Sequence, residues 1–145
     1  MTVKRQRTVA AAPEAVWALV SDPHHLPRWW PQVQRVEDVT GDAWTKVLRT
    51  PRGKTVRADY TRVSSRPRQE IVWRQEVEES PFEAILDQSV TTIALEPAGD
   101  DETRVKLSAE QELRGSYRFG GFMLRRATKR QLDEALDGIE RAVGE

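Results

Sequence analysis

Cysteine is absent from this 145-residue chain, and histidine occurs only twice, as His24 and His25. Without cysteine there are no disulfides, no thiolate metal sites and no thiol nucleophile. Net charge is missing too, because 23 basic and 23 acidic side chains cancel. That balance removes the bulk attraction on which duplex DNA or an anionic membrane would draw. No apolar run approaches the roughly 20 residues that span a bilayer. The opening "MTVKRQRTVAAAPEAV" has basic residues but no apolar h-region before Ser21-Asp22, so no signal peptide is expected. Repeats, low-complexity tracts and linkers are lacking as well. These exclusions leave a cytoplasmic protein of one domain over residues 1–145, long enough to bury about 68–70% of its unfolded surface.

What is present falls into three stretches. "KRQRTVAAA" reads as a first strand. Pro13 and Glu14 suit a helix start, and Val16, Leu19 and Val20 recur at helical spacing, so residues 13–21 read as a short helix. Pro23 stops it, and Asp22 can cap a second short helix. From Val33 to Leu113 the pattern is that of strands. "AWTKVLRT" and "TVRADYTRV" flank the turn signal "PRGK". "RQEIVWRQEV" puts Ile71, Trp73, Gln75 and Val77 on one face, and "TRVKLSAEQEL" does the same with Val105, Leu107, Ala109, Gln111 and Leu113. "SPFEAILDQSVTTIALEP" is long for one strand and should contain a bulge or bend. Beyond Gly115, Phe119, Phe122, Leu132, Leu136, Ile139 and Val143 predict one helix over residues 119–143. A helix of that length needs a partner of similar extent, and the sheet is the one available. The expected architecture is α+β: a curved antiparallel sheet of about seven strands, two short helices after the first strand, and a long C-terminal helix packed across the sheet.

Three segments carry a resemblance: "VAAAPEAVWALVSDPHHLPRWWPQV", "TTIALEPAGDDETRVKL" and "GGFMLRRATKRQLDEALDGIERAV". In this order the chain resembles the START-like, or SRPBCC, superfamily, which includes polyketide cyclases, aromatase-cyclases and birch-pollen-allergen-like carriers. The resemblance implies a helix-grip fold with an apolar cavity between sheet and C-terminal helix, and it spans activities as different as enzymes, lipid carriers and chaperone activators.

The stretch "DPHHLPRWWPQV" invites a metal or triad reading. Neighbouring histidines on a helix point about 100° apart, and no third histidine or cysteine completes a site. No nucleophile motif surrounds any serine. Two surface histidines remain, with no metal and no cofactor expected. Trp29 and Trp30 read as a proline-framed corner, one ring plugging the gap between the short helices and the sheet, the other at the cavity mouth or in solvent.

The inward glutamines are more informative. Gln75 and Gln111 fall on apolar faces, where an amide needs partners. Either neighbouring strands or buried water satisfy them, or they are the placed polar groups of a pocket. Tyr60, facing with Val56 and Ala58, and Gln88 could join them. Arg126, on the seam with Phe122, either reaches an anionic ligand group or belongs to a solvated face. Asp59, Glu76, Asp87 and Glu110 cannot be shown to be buried, so no catalytic residue is assigned. The expected ligand-binding set is Trp30, Tyr60, Trp73, Gln75, Gln88, Gln111, Phe119, Phe122, Met123 and Arg126. The leading expectation is a carrier or sensor of a small apolar, aromatic or lipid-like molecule, with no nucleic acid, no membrane insertion and a homodimer left open. The alternatives are a cyclase or dehydratase working in the same cavity without metal or organic cofactor, and a chaperone-activator-like module using its outer sheet.

Overall fold

A computed structural model describes residues 1–115 and 121–144. The chain runs β1 (Thr2–Val9), α1 (Pro13–Val20), a 3₁₀ turn (Pro23–His25), α2 (Leu26–Trp29), β2 (Val33–Thr40), β3 (Ala43–Arg49), β4 (Thr55–Arg66), β5 (Glu70–Gln75), β6 (Leu86–Gly99), β7 (Glu102–Leu113) and α3 (Gly121–Val143). The seven strands form one antiparallel sheet in the order β1-β7-β6-β5-β4-β3-β2. The first strand therefore lies beside the last, and α3 packs against the concave face together with the corner helices. This is the helix-grip architecture the sequence predicts.

Local chemistry explains the corner. Pro13 and Glu14 occupy the first turn of α1, which buries Val16, Leu19 and Val20. The Asp22 side chain accepts a bond from the His24 backbone N–H at 3.0 Å and so caps the 3₁₀ turn. Both histidine rings lie on the surface of this turn. The His24 ring is 2.9 Å from Asp22, and the His25 ring is 3.1 Å from the Ala18 carbonyl.

The long β6 segment differs from a single strand. Residues 78–85 form turns around Ser80 and Pro81, with Glu79 at a positive φ of 61°, and the strand begins at Leu86. A register shift between Leu86 and Gln88 then reverses the alternation. Leu86 is buried, and the buried positions that follow are Ser89, Thr91, Ile93 and Leu95. The bulge thus turns Gln88 outward, into solvent opposite Glu112.

Helix α3 buries Leu132, Ala135, Leu136, Ile139 and Ala142 along one stripe. Its second half is acidic, which the helix dipole disfavours. Arginines of β1 supply the compensation. Arg5 donates to both carboxylate oxygens of Asp133, at 2.8 and 3.1 Å, while Arg7 pairs with Asp137 and, at 3.1 Å, with Glu140.

One glycine sets how closely the helix approaches the corner. A Cβ built on Gly138 would sit 2.2 Å from the Trp29 carbonyl oxygen and 2.7 Å from its Cα. At an open helical site Gly→Ala would stabilise by about 1 kcal/mol. Here Gly138→Ala should instead destabilise, by about 1–3 kcal/mol of overpacking. Urea unfolding of the two proteins reads the sign directly.

Candidate functional site

Between the sheet and the first half of α3 lies a cleft of about 550 Å³. Trp30, Leu48, Tyr60, Leu86 and Ala109 contribute apolar wall from the corner and sheet, and Leu124, Ala127 and Leu132 close it from the helix. Gln75, Ser89, Thr91, Gln111, Thr128 and Gln131 add polar groups, with Arg130 and Glu134 among the lining residues of α3. A larger hollow of about 770 Å³ lies across β1, β7 and β6. It is lined largely by charged and polar side chains such as Lys4, Lys106 and Glu110, and none of the unpartnered buried atoms lies in its wall. The cleft is therefore the candidate site.

Its polar groups are only partly satisfied. Tyr60 donates its hydroxyl proton to Gln75 Oε1 at 3.4 Å, a long bond, and Gln75 Nε2 is buried without a partner. Thr128 donates to Gln111 Oε1 at 3.3 Å. Burial pushes the Tyr60 phenol up, so it stays protonated and able to donate.

The residue that sequence reasoning missed is Lys46. On β3 it shares the inner face with Trp44 and Leu48 and is only 1% exposed. Its Nζ lies 4.2 Å from the centroid of Tyr60, 4.3 Å from Trp30 and 4.8 Å from Trp73, and has no hydrogen-bond partner. Burial lowers its pKa from 10.5 to about 7. The three ring faces favour the cation by roughly 0.5–2 kcal/mol each, but none carries the full negative charge that would neutralise it. Trp29 and Trp44 complete the wall, with Trp73 at the centre, 6.0 Å from Trp29, 5.8 Å from Trp30 and 5.6 Å from Trp44. A signal existed in the i, i+2, i+4 series Trp44, Lys46, Leu48. It is weak, because Val47 on the other face is apolar too and a lysine in a strand ordinarily faces solvent.

The structure distributes the other expected residues unevenly. Trp30, Tyr60, Gln75 and Gln111 line the cleft together. Trp73 is buried behind it as the third side of the Lys46 box. Gln88 is outside, for the register reason given above. Phe122, Met123 and Arg126 are exposed and do not line the cleft. On a helix of 3.6 residues per turn, Phe122 and Arg126 lie about 80° and 120° to one side of Leu132, whereas Thr128 and Leu124 lie about 40° and 80° to the other, the side on which Ala135, Ile139 and Ala142 are buried. Phe122 edges a separate hollow with Met1, Leu113 and Arg125. Phe119 lies outside the described residues. The tryptophan corner is more fully buried than expected, with Trp29 at 2% and Trp30 at 6% exposure.

Lys46→Met tests the cost of the buried amine. The unfolded lysine holds its proton up to pH 10.5 and the folded one only up to about 7. Between those values the unfolded state binds more protons, so this group's contribution to stability rises with pH. Met fills the same volume without the amine and should stabilise the protein at pH 7 by about 1–3 kcal/mol. The advantage should shrink as pH rises towards 10.5, as urea unfolding of both proteins at stepped pH will show.

No curated protein sequence matches this chain. Among solved structures, a START superfamily protein from Mycobacterium smegmatis superposes with a TM-score of 0.82 at 15% identity, covering 99% of this chain and 97% of the other. The Zhui aromatase/cyclase from Streptomyces sp. R1128 gives 0.83 at 17% identity, covering 99% and 93%. The di-domain aromatase/cyclase BexL gives 0.82 at 22% identity, covering 99% of this chain and 46% of that one. At these identities the likeness shows the shared fold. No helix among the described residues is long and apolar enough to cross a membrane. The family described as "Polyketide cyclase / dehydrase and lipid transport" matches residues 1–144, and the chain belongs to that family within the START-like superfamily.

Proposed function

We propose that the protein binds a small apolar or aromatic molecule in the cleft between sheet and α3, as a carrier or sensor. The observation that carries this reading is the pairing of an apolar concavity of about 550 Å³ with a buried amide, Gln75, whose Nε2 lacks a partner. A volume in the range of small-molecule sites, with apolar wall from both sheet and helix and polar groups set among it, suits a ligand of drug-like size. An orphaned buried donor costs roughly 1–3 kcal/mol, and a ligand acceptor would recover that cost on binding.

A second reading is a cyclase or dehydratase, and one observation favours it. The Lys46 amine sits behind two cleft residues and titrates near neutrality, as a proton-handling group must. The aromatase/cyclase neighbours share the fold that would hold such a substrate.

Native mass spectrometry of the purified protein should detect a co-purifying small molecule. Gln75→Leu and Gln111→Leu should each weaken its retention by about tenfold, the equivalent of one lost buried hydrogen bond. Unchanged retention in both variants would remove the glutamines from the site.

A further inference from the structure

The interior beside the cleft is short of hydrogen-bond acceptors. Among the described residues the buried side-chain atoms without a partner are Trp29 Nε1, Trp44 Nε1, Lys46 Nζ and Gln75 Nε2, all nitrogens able to donate. Two of them, Lys46 Nζ and Gln75 Nε2, lie beside Tyr60, whose own hydroxyl makes only the 3.4 Å bond to Gln75. Trp30 and Tyr60 are walls of the lysine box and of the cleft at once. These two rings are therefore what stands between Lys46 Nζ and the cleft.

Among the described residues nothing acidic answers the lysine from the elements around it. On β4 its neighbour across the strands is Ala58, while Asp59 points away and accepts from Thr45 at 2.5 Å. On β2 the neighbour is Val36, and Glu37 pairs with Arg35 and Arg57. The corner and β5 contribute Trp30, Trp73 and Gln75. Across the cleft, α3 supplies one cation and one anion, Arg130 and Glu134.

Resting on the cleft reading above, we infer that the ligand is an apolar-bodied organic acid, whose carboxylate enters between Trp30 and Tyr60 to pair with Lys46 Nζ while Gln75 Nε2 and the Tyr60 hydroxyl donate to it. The missing counter-charge then arrives with the ligand. A carboxylate there meets a charge-assisted bond in a dry site, stronger than a neutral one. A neutral ligand of the same shape leaves the amine as it was.

The pairing also has a proton signature. In the complex the ammonium form is held by the carboxylate, so its pKa rises on binding. Above a free-protein pKa of about 7, each carboxylate bound must bring one proton with it. Affinity should then fall by about tenfold per pH unit above 8, where Lys46 of the free protein is neutral. Tyr60, held protonated, does not contribute to this slope.

The probes are 2-naphthoate and its uncharged isostere 2-naphthamide, titrated calorimetrically into the full chain between pH 6.5 and 9.5. The wild type should prefer naphthoate by tenfold or more at pH 6.5, with proton uptake appearing above pH 7 and a flat profile for naphthamide. Lys46→Met should abolish or reverse the preference. The wild-type pH slopes of the two probes decide independently of that variant. Equal binding of both probes, unaltered by pH, overturns the inference and leaves the cleft reading standing. Binding of neither removes both.

Discussion

Lys46 carries an amine into a wall of aromatic rings, and ring contacts rather than hydrogen bonds hold it there. Four of the five tryptophans, with Tyr60, form that wall. They come from separate parts of the chain: Trp29 and Trp30 from the corner, Trp44 and Tyr60 from neighbouring strands, Trp73 from the next. The rings gain from edge and face contacts as well as from burial. The same contacts fix where the corner meets the sheet and how far the cleft extends behind Trp30. An unpaired amine in such a place costs stability, and the surrounding packing offsets it. The fold tolerates the group because the rest of the wall is dense.

Helix α3 divides its work along its length. Its second half is structural, strapped by Arg5 and Arg7 of β1 and seated with Gly138 against the Trp29 backbone. Its first half spans the cleft, presenting Leu124, Ala127, Thr128 and Gln131 to the sheet. The charge asymmetry along the helix follows the same division. The acids sit where β1 offers arginines. Of the basic residues, Arg125 donates to the Thr2 carbonyl at 3.1 Å and Arg130 lines the cleft.

The fold was legible because periodicity reports burial directly. Val16, Leu19 and Val20 announce α1, and the alternation through Ile71, Trp73 and Gln75 announces an inward amide. Legibility failed where a single residue changed the phase. The shift after Leu86 sent Gln88 outward, and no residue type marks it. On α3 the spacing of Phe122 from Leu132 looked helical, yet small rotations accumulate over ten residues and carry its side chain off the seam. Lys46 escaped for a different reason. A lysine in a strand is normally a solvent residue, and only the convergence of β2, β4, β5 and the tryptophan corner, none of it local in sequence, encloses it. The histidines drew attention by rarity, whereas the lysine had ordinary company and an extraordinary environment.

The contact between Gly138 and Trp29 separates two kinds of position on one helix. At 138 any side chain collides with backbone, which cannot swing aside, so the seat of α3 tolerates almost no substitution. Three turns earlier, the cleft residues meet open space, and a change of size or polarity there alters the wall without moving the seat. Changes at Leu124, Ala127 or Gln131 can therefore reshape the cleft while the frame that presents them stays constant. Descendants of such a chain would diverge quickly in the shape of the cleft and slowly in the seat of its helix.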